Sequence, residues 1–157
     1  MATSTPATNA LKKGKIDFSL TEYDYAPGGE RVGLQAAEAI GEPASKVFKT
    51  LMIELDGKPV CAILASDREV NMKKLAKAFS GKSASMMDTH DAERMTGYKV
   101  GGISPLGQRK RVPTVLDESA MGQAEIYING GRRGLQIRLK PQDLVEFLRC
   151  EVADLVR

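Results

Sequence analysis

The sequence contains no tryptophan, one histidine and two cysteines, and aromatic residues make up only 5% of it. His90 has no cluster of cysteines and carboxylates around it, so we expect no metal site. Cys61 and Cys150 are far apart and form no CxxC pair, which predicts two free thiols in a reducing compartment. There is no G-x-S-x-G elbow, P-loop or G-x-G-x-x-G fingerprint. The sequence therefore argues against a conventional hydrolase that uses a histidine base.

Long apolar segments are also absent. No apolar run approaches the roughly 18 residues that span a bilayer, and residues 1–6 lack the pattern of a secretory signal. The chain has 157 residues, of which 42% are hydrophobic and 27% charged, which is ordinary for a globular protein. We expect a single domain over residues 1–157 that is cytoplasmic and has no membrane partner.

Hydrophobic periodicity and turn residues predict about seven strands and five helices. Hairpin-type connections dominate, which predicts a mixed α/β (α+β) fold: a largely antiparallel β-barrel with helices around it. The predicted helices cover 6–13, 34–40, 71–79, 89–96 and a last helix from 141 that carries Leu155 on its apolar face. The predicted strands cover 16–23, 47–55, 60–65, 83–87, 112–116, 124–128 and 134–139, with a break at Pro27-Gly28-Gly29.

The stretch 97–111 packs four glycines, one proline, one serine and four basic residues into fifteen positions. Its Gly101-Gly102 pair leaves two backbone N–H groups uncovered by side chains, which suits them to bind an anion or a developing oxyanion. The same composition is typical of a surface turn with a basic tip, and composition alone favours the turn. Between residues 99 and 140 eight basic residues face three acidic ones. This imbalance indicates either a phosphate-bearing partner or a solvated charged face.

Lys49 lies inside an apolar strand, Val47–Ile53. A lysine in such a strand either lies at an exposed edge, which the pattern alone favours, or points into a pocket. In a pocket it could donate to a carboxylate, a phosphate or an ester oxygen.

Three stretches, 47–51, 97–107 and 127–135, resemble the YbaK/EbsC family of stand-alone aminoacyl-tRNA editing domains in order and spacing. That family is related to the editing insertion domain of bacterial prolyl-tRNA synthetases. The resemblance extends from about residue 7 to residue 153. It implies a mainly antiparallel β-barrel with surrounding helices, in agreement with the strand prediction.

The resemblance implies an enzyme that hydrolyses the ester between a wrong amino acid and tRNA, most of all Cys-tRNA(Pro). The implied partners are aminoacyl-tRNA and prolyl-tRNA synthetase, with no DNA and no cofactor. In cysteine-specific members the thiol of the substrate attacks the ester and releases a thiolactone, whereas sister members use an activated water. Two alternatives remain: a deacylase for another amino acid, such as alanine, and a non-catalytic module that binds tRNA or a synthetase.

The resemblance also assigns residues. It implies catalytic roles for Lys49, Gly101 and Gly102, with the glycines as wall and hydrogen-bond donors of an aminoacyl pocket. The chain departs from the family pattern at Asn129, Gln136 and Val32, where a serine, an acid and a phenylalanine are expected, so the edited amino acid is less defined than the family. The implied substrate-binding residues are Tyr23, Val32, Thr50, Ile103, Ser104, Asn129, Gly130 and Gln136, and the implied tRNA-binding residues are Arg109, Lys110, Arg111 and Arg132.

Overall fold

The computed structural model describes residues 4–25 and 32–157, except for the side chain of Val32. The predicted break at Pro27–Gly29 lies outside the described residues. The helices of the described part are α1 (Pro6–Lys13), α2 (Val32–Ile40), α3 (Met72–Ala78), α4 (Thr89–Thr96) and α5 (Pro141–Leu148), with short 3₁₀ turns at Ala44–Lys46 and Glu118–Gly122. The strands are β1 (Ser19–Glu22), β2 (Phe48–Leu55), β3 (Lys58–Ala65), β4 (Ala84–Met86), β5 (Thr114–Asp117), β6 (Ile126–Asn129), β7 (Leu135–Leu139) and β8 (Glu151–Ala153).

The described strands form two sheets and no closed barrel. One sheet has three antiparallel strands in the order β1-β7-β6, and the other has five strands in the order β4-β2-β3-β5-β8. A barrel needs continuous strand pairing around its circumference. Here strand pairing between the sheets is limited to a single bridge between Val47 and Tyr127 in the described part. The prediction of a mixed α/β fold is confirmed, and the prediction of a barrel is wrong.

The five-stranded sheet is mixed, because β3 pairs with β5, and β5 with β8, in parallel. Parallel neighbours need a long crossover between them. Residues 66–113, with α3, β4 and α4, form the crossover from β3 to β5. Residues 118–150, with β6, β7 and α5, form the crossover from β5 to β8. The turn motifs in the sequence do not reveal these crossovers, because a crossover connection has no short turn motif that marks it.

Capping residues set the helix ends. Thr5 caps α1 in a reciprocal pair with Thr8, and Asp88 caps α4, which ends at Gly97 with φ of 82°. These two helices have the predicted bounds. The last helix is shorter than predicted: Arg149 takes φ of 52° and ends α5, so Leu155 lies beyond β8. No helix in the part of the chain that the structure describes is long and apolar enough to cross a membrane.

The core lies on both faces of the five-stranded sheet. One cluster, which includes Phe48 and Ile63 of this sheet and Ile128 and Ile137 of the other, fills the space between the sheets. The second cluster includes Leu64, Leu75 and Leu155 and packs beneath α3. β3 is buried on both faces, as its continuous apolar run predicts. The rigid pairing of β2 with β3 therefore holds the first half of β2 in place.

Candidate functional site

A cavity of about 490 Å³ lies along the first half of β2. β3 pairs with β2 along its whole length, whereas β4 pairs only with Ile53–Leu55. The other edge of residues 48–51 therefore has no strand partner in the described part, and residues 48–52 line the cavity consecutively. The remaining walls come from the start of α2, the loop after β3, the β4–α4 segment, residues 100–103, and the ends of β6 and β7. A cavity of this size is typical of a small-ligand site.

The cavity unites residues from all three stretches on which the family resemblance depends. Of the residues predicted to be catalytic or to bind the substrate, Tyr23, Gly102, Ser104 and Gly130 do not line it, and the side chain of Val32 lies outside the description. The predicted site residues that line it are Lys49, Thr50, Gly101, Ile103, Asn129 and Gln136. Positions 50 to 90 residues apart in sequence thus meet around one space because the two sheets converge there.

The position of Lys49 combines the two alternatives that the sequence left open, a strand edge and a pocket. It lies opposite Leu64 of β3, in the stretch of β2 that β4 does not cover, and it is partly buried where that stretch lines the cavity. Apolar walls around a lysine lower the local dielectric, which strengthens its attraction to an anionic or polarised oxygen. Phe48, Met52 and Ile103 supply such walls.

Among residues 4–25 and 32–157, three buried polar atoms at or beside the cavity have no partner within hydrogen-bond geometry: Thr50 Oγ1, Gln136 Oε1 and Tyr23 Oη. The Gln136 side chain is only 3% exposed. Burial raises the pKa of the Tyr23 hydroxyl, so it stays protonated at neutral pH. A buried polar atom without a partner costs about 1–3 kcal/mol. A ligand that offers hydrogen-bond donors and acceptors to these atoms would recover part of that energy.

Asn129 uses both ends of its amide within the protein. Its Nδ2 donates to the carbonyl oxygen of Gly101 over 3.0 Å, and its Oδ1 accepts from the N–H of Gly131 over 2.7 Å. Asn129 is buried and lines the cavity, but its hydrogen-bonding groups are engaged. It therefore positions the wall at Gly101 and leaves little capacity for a direct polar contact with a ligand.

The Gly102 N–H group is already hydrogen-bonded within the protein, and its role as an oxyanion donor stays a prediction. Its N–H donates to the carbonyl oxygen of Lys99 over 2.8 Å. A Cβ at this position would lie 2.9 Å from backbone atoms of Arg132 and Arg133, so glycine is needed for close packing. Gly101 differs, since it lines the cavity and has φ of 92°.

Ser104 and Gly130, two predicted substrate-binding residues, support the walls from behind. Ser104 is fully buried, and its Oγ accepts from the N–H of Leu106 over 3.2 Å. Gly130 donates its N–H to the carbonyl oxygen of Leu135 over 2.8 Å and accepts from Thr5 Oγ1. Neither residue lines the cavity, and their contacts hold the turns in place, so their role in substrate binding stays a prediction.

The predicted tRNA-binding cations lie apart from the cavity. Arg109, Lys110 and Arg111 are exposed, and none of them lines the cavity. Arg111 donates from Nη2 to the carbonyl oxygen of Leu148 over 2.7 Å and lines a second, smaller cavity of about 320 Å³. Arg132 forms an ion pair of 2.6 Å with Glu22. The basic residues that the sequence groups together are therefore distributed over separate surfaces.

The sequence did not indicate the loop after β3. Asp67, Arg68 and Glu69 are exposed and line the cavity. Arg68 Nη2 donates to the carbonyl oxygen of Arg157 over 2.7 Å, and Arg157 pairs with Glu69 over 3.3 Å. The available signal is weak: polar loops after buried strands are frequent places for function. The contact with Arg157 depends on tertiary structure alone.

The two thiols are poorly suited to nucleophilic catalysis. Burial raises the pKa of Cys61 to about 12 and that of Cys150 to about 11, and neither residue lines the cavity. Among residues 4–25 and 32–157 there is no group of three or more His, Cys, Asp or Glu arranged to hold a metal ion. The cavity instead presents an ammonium group, a hydroxyl and the Gln136 amide, which suits it to positioning and electrostatic stabilisation.

Comparison with known proteins identifies the class. Residues 31–147 match the family model of the aminoacyl-tRNA editing domain, and the chain belongs to this family. The family resemblance predicted from the three stretches is thereby confirmed. The chain is similar to EbsC of Enterococcus faecalis, whose name assigns it provisionally as a Cys-tRNA(Pro)/Cys-tRNA(Cys) deacylase. The two are 33% identical over 154 residues, which cover 96% of this chain and 92% of EbsC.

Two further relatives define the range of the similarity. A proline–tRNA ligase of Acidithiobacillus ferrooxidans is 32% identical over 96 residues, which cover 61% of this chain but only 17% of the ligase. A crystal structure described as a candidate trans-editing enzyme for prolyl-tRNA synthetase superposes with a TM-score of 0.85 at 22% identity, covering 100% of this chain and 98% of that one. The last comparison establishes a shared fold.

Proposed function

We propose that the chain, as one domain over residues 1–157, is an aminoacyl-tRNA deacylase that acts in trans, with Cys-tRNA(Pro) as its main substrate. The observation that carries this proposal is the cavity, which joins Lys49 and Thr50 to Gly101 and Gln136 in a member of the editing family. The similarity to EbsC and to a segment of proline–tRNA ligase supports the choice of substrate and of prolyl-tRNA synthetase as a partner. We place this activity in the cytoplasm, where tRNA is charged, and no cofactor is required for it.

In this proposal the aminoacyl group enters the cavity and its side chain contacts the apolar wall formed by Phe48, Met52 and Ile103. The Lys49 ammonium group lies near the ester and stabilises the negative charge that develops on the carbonyl oxygen. Thr50 and Gln136 provide hydrogen bonds to the polar groups of the amino acid. A small pocket distinguishes similar side chains by only about 1–3 kcal/mol, which is why a second, editing site is useful after mischarging.

The nucleophile in the proposed reaction is the thiol of the substrate. Its sulfur attacks the carbonyl carbon, a C–S bond forms, and the C–O bond to the terminal ribose breaks. The thiol proton passes to the ribose oxygen, so that deacylated tRNA and a cyclic thiolactone are released. The high pKa of Cys61 and of Cys150 supports this choice, because neither protein thiol is ionised at neutral pH.

A deacylation panel with Cys-, Ala-, Ser- and Pro-tRNA tests the proposal. We expect fastest release from Cys-tRNA(Pro), and a decrease in kcat of about 100-fold or more for Lys49→Ala, with an unchanged melting temperature. Lys58→Ala, an exposed lysine at the far end of the β2–β3 hairpin, is the matched control and keeps full activity. Fastest release of alanine would instead identify an alanine-editing enzyme. Binding of tRNA without any release would identify a non-catalytic module.

A further inference from the structure

An aromatic and cationic pair, Tyr25 and Arg133, lies against the outer side of the cavity wall. The guanidinium carbon of Arg133 lies over the Tyr25 ring, 5.3 Å from the ring centroid. Arg133 Nε donates to the carbonyl oxygen of Val100 over 2.9 Å. Arg133 is exposed and Tyr25 partly exposed, so a ligand can reach both.

Gly101 lies between this pair and the cavity. It lines the cavity, and a Cβ at this position would lie 3.0 Å from Tyr25 Oη and 3.2 Å from Arg133 Nε. Val100, which also lines the cavity, is 39% exposed. Tyr25, Arg133 and Val100 therefore form a continuous rim, with an aromatic ring, a guanidinium group and an apolar side chain next to the ligand space.

We propose that Tyr25 and Arg133 bind the 3′-terminal nucleotides of the tRNA whose aminoacyl group enters the cavity, an inference that rests on the proposed function. The ester joins the amino acid directly to the terminal ribose. When the amino acid is in the cavity, the ribose and its phosphate must therefore lie at the rim.

The chemistry of the pair fits unpaired nucleotides. Unpaired bases stack on aromatic rings and on arginine guanidinium planes. A guanidinium group has five N–H donors, and Nε uses one of them on Val100, so the terminal nitrogens can bind phosphate oxygens. The bond to Val100 also holds the guanidinium in a fixed plane, which reduces the entropy lost on binding.

The distribution of charge favours binding of the tRNA acceptor end at this part of the rim over binding at the loop after β3. That loop presents the carboxylates of Asp67 and Glu69 beside the guanidinium of Arg68, and Glu69 is paired with Arg157, so its charges largely cancel and give phosphate no net attraction. Within residues 4–25 and 32–157, Arg133 has no ion pair with a carboxylate, whereas the adjacent Arg132 is paired with Glu22. The acceptor end therefore approaches over Arg133 and away from Asp67.

Kinetics with two substrates test the contact: Cys-tRNA(Pro), and the cysteinyl ester of adenosine, which carries no phosphate. For Arg133→Ala we expect KM for the tRNA to rise about fivefold or more. The slope of log KM against log salt concentration should fall by about one, because one phosphate contact is lost, and KM for the adenosine ester should not change. Tyr25→Leu raises KM for both substrates by about fivefold because it removes base stacking, and Tyr25→Phe retains the wild-type KM. Arg138→Ala, an exposed arginine of β7 paired with Glu125, is the matched control.

Binding without catalysis provides the second measurement. A short RNA hairpin with a single-stranded 3′-CCA end should bind Arg133→Ala and Tyr25→Leu about fivefold more weakly than wild type, with circular dichroism melting to confirm that both fold. Wild-type KM and Kd in both variants would overturn the inference, as would a rise in KM confined to an Arg109→Ala/Lys110→Ala variant. A wild-type protein that binds the hairpin but releases no amino acid would refute the proposed deacylase and leave the nucleotide contact to be judged by these Kd values.

Discussion

Asn129 at the end of β6 holds Gly101 in place by a 3.0 Å hydrogen bond from its Nδ2 to the glycine carbonyl oxygen. Its Oδ1 accepts from Gly131, so one side chain joins the β6–β7 turn to the loop at residues 99–102. The position of the cavity wall therefore depends on the end of the three-stranded sheet. This relationship makes Asn129 a positioning residue, and it predicts that a subtle change there affects both stability and activity.

Asn129→Asp should lower the free energy of unfolding by about 1–2 kcal/mol. A carboxylate still accepts from the Gly131 N–H, but it has no donor for the Gly101 carbonyl oxygen and repels it. The variant should also lose kcat/KM in deacylation, since Gly101 is no longer fixed. Urea unfolding and steady-state kinetics measure the two effects. Asn9→Asp, at an exposed position of α1, is the control and should change stability by less than about 0.5 kcal/mol. An Asn129→Asp protein as stable as wild type would contradict the link.

Gln136→Met should separate stability from function. Its Oε1 is buried and has no hydrogen-bond partner in the part of the chain that the structure describes, so an apolar side chain of similar volume should leave the free energy of unfolding at or above the wild-type value. The same change should raise KM for the mischarged tRNA because a hydrogen bond to the ligand is lost. Gln108→Met is the matched comparison: Gln108 Nε2 donates to the Ser104 carbonyl oxygen over 3.0 Å, so this variant should lose stability. A Gln136→Met protein with unchanged KM would remove Gln136 from substrate binding.

Gly102→Ala should destabilise the protein by about 1–3 kcal/mol, since its Cβ would meet the Arg132 and Arg133 backbone at 2.9 Å. Gly122→Ala provides the control, because a Cβ there has no neighbour within 4 Å. We expect it to be neutral or slightly stabilising. Thermal unfolding of the two variants gives the comparison. Equal melting temperatures would show that the loop accommodates a side chain and that its packing does not require glycine.

The buried thiols predict alkaline sensitivity. Burial raises the pKa of Cys61 from 9.0 to about 12, so the folded state holds this proton more tightly than the unfolded state does. The resulting stability is complete below pH 9 and is lost as the pH rises towards 12, with a limiting slope of about 1.4 kcal/mol per pH unit. Cys61→Ala should flatten the dependence of the unfolding free energy on pH in this window. An identical slope in wild type and variant would contradict the assignment.

A second consequence of the thiols concerns catalysis. If the sulfur that attacks the ester belongs to the substrate, a Cys61→Ala/Cys150→Ala protein should keep kcat for Cys-tRNA(Pro) within about twofold at neutral pH, where both thiols are protonated. Deacylation at a temperature well below its melting point avoids effects of the altered core. A loss of more than about 100-fold at full folding would instead place a protein thiol in the reaction.

Local signals predicted the elements well where a capping residue or a turn defined their ends. Thr5 and Pro6 located the start of α1, Asp56-Gly57 located the hairpin between β2 and β3, and Gly97 located the end of α4. One failure concerns the end of the last helix. The apolar residue Leu155 was assigned to α5 by periodicity, but Arg149 in a left-handed conformation ends that helix. No pattern in the sequence predicts that an arginine takes the left-handed backbone conformation.

The sequence predicted which segments meet at the cavity, but not the hydrogen bonds that individual residues form there. The family resemblance located Lys49, Thr50, Gly101, Asn129 and Gln136, which line the cavity. Their individual roles depend on hydrogen bonds that a sequence does not contain, such as the Gly102 N–H on Lys99. Charge counting left open whether residues 109–111 meet a phosphate-bearing partner or only solvent. The structure shows that none of them lines the cavity and that Arg111 lines a second one, and their role in tRNA binding stays a prediction.

The incomplete cover of β2 by β4 has a consequence for solubility. A strand edge with unpaired backbone groups can recruit a strand from another molecule, and proteins protect such edges with charge. Lys49 lies in the middle of this edge, where a second strand would have to bury its ammonium group. The residue proposed for catalysis would thus also act as a gatekeeper against edge-to-edge association. Lys49→Ile would then both inactivate the protein and promote its aggregation.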